Sequence, residues 1–306
     1  MQAVIVFGSI NMDVSFEASR LPEKGETVLG GDVKFCPGGK GANQAVACAR
    51  MGAPTSLIGA VGNDAFGASI LRGFDIPNLD SSNVQKNAMR PTGTAIISRV
   101  DSDNRIVVCP GANHAIDSKI AMAALGALGS EGDILLVQLE CPQEQVKEAV
   151  IQAKRREMRV YFNPSPMGPS AIEILPLVDL VCVNELEFHD LFGEVPHDEE
   201  SLRAAVRENG ARYSSDLIVT LGSKGFMALM GDEFFSSRAY SVNAIDTSCA
   251  GDTFMGAVSA FSVMGWESHD ALTYATAAAA LTTTVVGAQE AIPTFDEVKA
   301  FIERGV

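Results

Sequence analysis

The residues best suited to chemistry gather at 246–256, which reads Asp-Thr-Ser-Cys-Ala-Gly-Asp-Thr-Phe-Met-Gly. The stretch follows a β-like segment at 240–244 and opens a small-residue helical run over 251–264. A helix start leaves backbone N–H groups unpaired and carries a partial positive charge, so it attracts anions. Asp252 sits on that start. Its type allows two roles there, a helix cap or a general base beside a bound anion. A second such stretch, 37–45, reads Pro-Gly-Gly-Lys-Gly-Ala-Asn-Gln-Ala and opens a helix running to about Met51. Its glycines permit close backbone approach to a ligand. It is not a P-loop, since the upstream glycine spacing and the Ser or Thr after the lysine are missing, and it is not GxGxxG. As a bare pattern it is equally a plain loop-to-helix turn.

These stretches need a scaffold, and the periodicity supplies one. The apolar run at 3–7 has the pattern of a buried parallel strand. The residues 8–13 then form a turn, where Asn11 and Asp13 face a ligand or serve as turn formers. Beyond residue 110 the rhythm is regular. Strands are expected at 133–138, 159–163, 180–184 and 216–221, with helices near 119–128, 143–156 and 199–209. That alternation predicts a three-layer α/β/α fold with a mostly parallel central sheet. Polar residues recur just past the strand ends: Gln138, Glu140, Asn163, Asn184, Glu187, Thr220 and the run 222–225. Several polar residues on one edge of a parallel sheet mark a site better than any single one. The segments at about 14–36 and 94–108 alternate loosely and are expected to pair as a small antiparallel β-sheet lid, with a turn at 101–104. Residues 193–201 are acidic and are expected to form a solvated loop.

Composition narrows the function. The chain has 306 residues, 47% of them hydrophobic, which allows one large α/β domain or two small ones. A net charge of −15 argues against nucleic acid and anionic membranes as partners, though not against a small phosphorylated ligand. The N-terminal residues read as a strand rather than a signal peptide. No apolar run reaches bilayer-spanning length. The six cysteines contain no CxxC pair and are expected to be reduced thiols in a cytoplasmic protein. The four histidines show no metal spacing.

Taken together, 37–45 and 246–254 resemble the two signatures of the ribokinase-like carbohydrate kinases, and the likeness runs through nearly the whole chain. Further matches fall at 8–13, 137–140, 163–164, 184–187, 220–225 and 287–289. The resemblance implies one kinase domain over 1–306 that moves the γ-phosphate of ATP to the primary hydroxyl of a free sugar. D-Ribose is the expected acceptor; deoxyribose, fructose or a nucleoside is the alternative. Asp252 then matches the base, and the N–H groups of Ala250, Gly251 and Asp252 match an anion hole, in keeping with phosphoryl transfer by positioning and charge stabilisation. Asn11, Asp13, Gly39, Lys40, Asn43 and Glu140 match the sugar site. Asn184, Thr220, Gly222, Ser223, Gly225, Gly251 and Thr276 match the nucleotide side, and Glu187 matches a position that organises Mg²⁺ through water. Asp246, with carbonyls near Ser248, Thr282, Val285 and Gly287, matches a K⁺ loop. A homodimer joined through the lids is expected.

Three residues depart from the family pattern: Cys249 where Gly or Ala is usual, Thr276 beside adenine, and Ala291 without a hydroxyl. Cys249 reads as structural, because a reactive thiol needs a depressed pKa. Lys40 without an Arg or Lys cluster disfavours a sugar phosphate as acceptor. A sugar-binding regulator without turnover would have no need of the intact Asp252 and Gly251. A dinucleotide-dependent oxidoreductase would need the missing glycine fingerprint.

Overall fold

The computed structural model describes residues 2–100, 103–196 and 198–305. Its centre is β1 (Val4–Phe7), whose side chains alternate between two apolar layers. Val4 and Val6 pack on one side and Ile5 and Phe7 on the other, as a strand covered on both faces must. The remaining strands, in chain order, are β2 (Asn11–Glu17), β3 (Lys34–Gly38), β4 (Thr55–Gly62), β5 (Leu79–Asp80), β6 (Val84–Asn87), β7 (Gly93–Val100) and β8 (Asp103–Cys109). Then come β9 (Ile134–Val137), β10 (Arg159–Phe162), β11 (Leu180–Asn184), β12 (Asp216–Thr220), β13 (Phe226–Met230) and β14 (Glu233–Ser237).

The large sheet runs β14-β13-β12-β11-β10-β9-β1-β4-β5, with β6 also on β4. It is parallel except for the edge hairpin of β13 and β14, which is not among the strands expected above. One face carries α1 (Lys40–Arg50), α2 (Ala65–Gly73), α8 (Ala250–Val263), α9 (Ser268–Thr282) and α10 (Phe295–Glu303). The other carries α3 (Ser118–Leu128), α4 (Gln143–Arg155), α5 (Ser170–Ile174), α6 (Glu185–Phe192) and α7 (Glu199–Tyr213). This is the expected three-layer α/β/α arrangement. The chain leaves β1 toward β4 on one side and later returns to β9 on the other. The order therefore reverses around β1, and such a switch point opens a crevice at the strands' C-terminal ends.

A second sheet of four strands lies in the order β3-β2-β7-β8. It contains the segments expected to pair, with two differences. The sheet is mixed rather than antiparallel, because β2 and β7 run parallel. Asn11 and Asp13 also belong to β2 rather than to a turn, while 18–33 forms no strand. Of the expected turn at 101–104, Asp101 and Ser102 lie outside the described residues. The β-like segment at 240–244 forms no strand either. Its apolar residues Tyr240 and Val242 pack on the core instead, with the Tyr240 ring 5.3 Å from that of Phe301 in α10. Residues 198–201 of the expected acidic loop cap and begin α7.

Candidate active site

The two signature stretches meet because α1 and α8 pack against each other. A methyl group on Gly256 would come within 2.5 Å of Ala47 Cβ and 2.7 Å of the Gln44 carbonyl, so only glycine lets these helices approach so closely. That approach puts Asn43 and Gln44 beside Asp252. Asn43 Nδ2 donates to Asp252 Oδ2 at 3.0 Å, and Gln44 Nε2 donates to Oδ1 at 2.9 Å. Asp252 is buried. It does not cap its helix. The N-cap is Cys249, in the left-handed region at φ 64°, and no side chain caps α8. A methyl group on Gly251 would meet nothing within 4 Å, so the start of α8 borders open space there, and the Ala250 N–H makes only a long 3.5 Å bond to the Thr247 carbonyl.

A chain of amides holds this carboxylate from behind. Gln138 Nε2 donates to Gln44 Oε1 at 2.5 Å, which commits the Gln44 amide to point its nitrogen at Asp252. The same nitrogen reaches Asn163 Oδ1 at 3.3 Å. The sequence pattern puts Gln138 on the polar edge that marks the site but assigns neither it nor Gln44 a partner or role there. Asn43 Oδ1 is buried without a partner, a state that invites a ligand donor.

The loop into α1 folds over β2. Gly39 takes φ 90°, a conformation that favours glycine, and a methyl group on Gly38 would collide with the Asp13 carboxylate. Asp13 is thus pressed beneath the loop. Burial, then Glu140 and Asp252, push its carboxyl up to about 7, against the pull of Lys40. For Lys40, burial works to lower the ammonium pKa, but Asp252, Glu140 and Glu187 outweigh it and the net shift is upward. Glu140 accepts from the Ser9 hydroxyl at 2.5 Å and from the Lys40 N–H at 3.3 Å. Asn11 Oδ1 accepts from Asn113 Nδ2 at 2.7 Å, and Asn113 also bonds both backbone groups of Ile10. Asn113 and Ser9 are further residues that sequence reasoning missed, and Asn113 gave no signal that could have found it.

On the neighbouring strand ends, Asn184 and Glu187 form a capping box on α6. Glu187 N–H donates to Asn184 Oδ1 at 2.8 Å, and Asn184 N–H donates to Glu187 Oε2 at 3.0 Å. Thr220 Oγ1 donates to the Val183 carbonyl at 3.3 Å. Gly222, with φ 57°, begins the 3₁₀ turn that exposes Ser223, and Gly225, with φ 99°, ends it. Thr276 is buried, and its hydroxyl donates to the Leu272 carbonyl at 2.7 Å, so its donor is spent inside α9.

Asp246 differs most from expectation. The local sequence offers it no basic partner, but β7 does: Arg99 Nη2 lies 2.8 Å from Asp246 Oδ2. Ser248 N–H donates to Oδ1 at 3.0 Å and Gly287 N–H to Oδ2 at 3.4 Å. Burial pulls the carboxyl upward, yet these donors together hold it below its ordinary value. Thr282 is buried, with its hydroxyl 3.0 Å from the Ala278 carbonyl and from Thr253 Oγ1; Val285 is exposed.

A carboxylate facing an open helix start, next to polar groups suited to a polyol, defines a site for phosphorylating an alcohol. Residues 1–295 match the model of the pfkB family carbohydrate kinases, and the chain belongs to that family. It is 38% identical over 301 residues to a ribokinase of Lactococcus lactis subsp. lactis, covering 98% of this chain and 97% of that one. The solved ribokinase of Thermotoga maritima superposes with a TM-score of 0.86 at 30% identity, covering 99% of this chain and 100% of that one. The Arabidopsis thaliana ribokinase, solved with ribose and ATP, superposes with a TM-score of 0.88 at 29% identity over 99% of each chain.

Proposed function

We propose that this chain phosphorylates the primary hydroxyl of a free sugar, D-ribose first, using ATP. The observation that carries the reading is the Asp252 carboxylate, held by Asn43 and Gln44 at the open start of α8. Asp252 takes the hydroxyl proton as the sugar oxygen bonds to the γ-phosphorus. The bond from that phosphorus to the bridging oxygen breaks, and ADP leaves. The N–H groups of Ala250, Gly251 and Asp252, with the Lys40 ammonium, stabilise the charge on the moving phosphoryl group. Asn11, Asp13, Gly39, Lys40, Asn43 and Glu140 hold the sugar. Asn184, Thr220, Gly222, Ser223 and Gly225 line the nucleotide side. Thr276, whose hydroxyl proton is spent on the Leu272 carbonyl, acts there by shape and as an acceptor.

Mg²⁺, when bound, neutralises phosphate charge, and Glu187 would hold its waters. One Glu187 oxygen is engaged by the α6 cap, which suits contact through water better than direct ligation. Arg99 stands beside Asp246, where the family likeness leads one to expect K⁺.

The chain is read as one kinase domain over 1–306, with the four-stranded sheet as a lid that excludes water when it closes. A homodimer through the lids is supported by β8, an edge strand with Ile106, Val107 and Val108 exposed. No helix among the described residues is long and apolar enough to cross a membrane. A cytoplasmic enzyme without nucleic-acid or membrane partners fits the acidic balance of the chain.

The test is ATP consumption across ribose, 2-deoxyribose, fructose and adenosine, compared as kcat/KM. Ribose should lead. A different acceptor ahead by about tenfold, or 1.4 kcal/mol of transition-state binding, overturns the ribose assignment but leaves the kinase.

A further inference from the structure

The family likeness implies a monovalent cation at Asp246, and the residues present do not fit a resident one. Hard cations need free oxygen ligands. Asp246 Oδ2 is filled by the Arg99 guanidinium and the Gly287 N–H, and Oδ1, which accepts from the Ser248 N–H, is left as the single carboxylate oxygen with room for a further ligand. Arg99 also brings the compensating charge that a buried carboxylate requires, and a guanidinium keeps that charge at any working pH. A second cation on the carboxylate would sit beside this one in a sheltered place. The Asp246 side chain is 5% exposed, so water and salt screen the repulsion poorly. Ala291 adds no hydroxyl to make up the difference.

We propose that Arg99 is an internal cation, which replaces a monovalent ion at Asp246 and frees the 246–252 loop from dependence on K⁺. Asp246 holds the Ser248 N–H, and Ser248 lies directly before Cys249, the cap residue of α8. The pair therefore shapes the N–H groups of the anion hole without touching substrate. The charge is carried on β7, in the four-stranded sheet, whereas an ion would arrive from solvent. Correct shaping of the loop thus requires that sheet to be in place. Arg99 is a positioning residue, and its kinetic effect rests on the phosphotransfer reading above.

The test compares the unaltered protein, Arg99→Met and Arg99→Lys in KCl and in tetramethylammonium chloride at equal ionic strength. Thermal melting without substrate is measured beside steady-state rates with Mg²⁺-ATP and ribose. The unaltered protein should run within about twofold in the two salts and melt alike in both, because its charge partner is built in. Arg99→Met should lose about tenfold or more in kcat without K⁺, regain most of it in KCl, and melt higher in KCl alone. Arg99→Lys should stay indifferent to K⁺. The inference is overturned if the unaltered enzyme is activated about fivefold or more by K⁺, or if Arg99→Met matches it without K⁺. Should no acceptor be phosphorylated, the kinase reading fails, and melting still decides this one. A KCl-specific rise in Arg99→Met alone supports the internal cation, and any other pattern sinks it.

Discussion

Asp252 accepts two amide hydrogen bonds and gives none to its own helix. That arrangement makes the change to asparagine informative. In Asp252→Asn the new oxygen can still accept from Gln44, whose orientation Gln138 fixes. The new NH₂ then faces Asn43, whose Oδ1 has no partner in the unaltered protein and can turn to accept it. Stability should change by less than about 1 kcal/mol. Base strength is lost outright, so kcat should fall about 100-fold or more. Near-normal turnover in a folded Asp252→Asn protein would remove the base from the mechanism. Asp13 makes a second prediction, through pH. Its carboxyl is raised to about 7, so the free enzyme keeps it protonated below that value. A protonated Asp13 is a poorer acceptor for a sugar hydroxyl, so log kcat/KM should fall as pH drops through about 7. Linkage runs the other way for folding. Between the unfolded value near 3.8 and the folded value near 7 the native state binds the extra proton, so the contribution to stability shrinks as pH rises. Asp13→Asn should flatten the acid limb of the rate profile. It should also raise the melting temperature at pH 8, by at most the equivalent of about 4 kcal/mol. A melting temperature at pH 8 that is unchanged or lower would contradict the buried-charge account.

At the scale of elements, the α1–α8 contact is what converts two distant signatures into one site. Gly256→Ala puts a methyl group into the Gln44 carbonyl and Ala47, forcing the helices apart. The expected cost is about 1–3 kcal/mol from overpacking. Asn43 and Gln44 would move away from Asp252, so kcat should fall together with stability. A Gly256→Ala enzyme with full kcat would show that the spacing does not govern the base. Much of this scale was legible in the sequence, because burial on both faces imposes apolar runs that repeat with each strand. β10 at Arg159–Phe162 and α3 at Ser118–Leu128 lie within a residue of where the pattern puts them. The hairpin of β13 and β14 lies outside the expected strands although its turn, Gly231-Asp232 after the apolar run Phe226–Met230, carries a local signal. The segment 240–244 misled because alternation there serves packing of Tyr240 on Phe301, not a ladder. Roles that depend on long-range partners were not legible at all. Gln138 aims Gln44 from a strand end 94 positions away, and Arg99 reaches Asp246 across 147. No local periodicity encodes either.

At the scale of the whole molecule, the four-stranded sheet poses a solvation problem. β8 pairs with β7 on one side only, leaving its other row of N–H and C=O groups open. Successive side chains of a strand point to opposite faces, yet Ile106 (57%), Val107 (62%) and Val108 (48%) are all substantially exposed. An apolar edge strand is an invitation to pair, and soluble proteins usually blunt such edges with charge or cover them. Here the apolar residues belong to the same sheet that holds Asn11, Asp13 and Arg99. Pairing of the same edge on two copies would satisfy the open N–H and C=O row of β8, bring its apolar side chains against their copies and fit a two-fold symmetric interface. Light scattering at micromolar protein should therefore report twice the chain mass. Val107→Lys places a charge on that edge without touching any group assigned to sugar, nucleotide or base. It should shift the protein toward monomer and raise KM for the sugar more than it lowers kcat, since a lid without its partner closes less readily. A monomeric unaltered protein would refute the lid-to-lid dimer, and a Val107→Lys protein that stays dimeric would move the interface elsewhere.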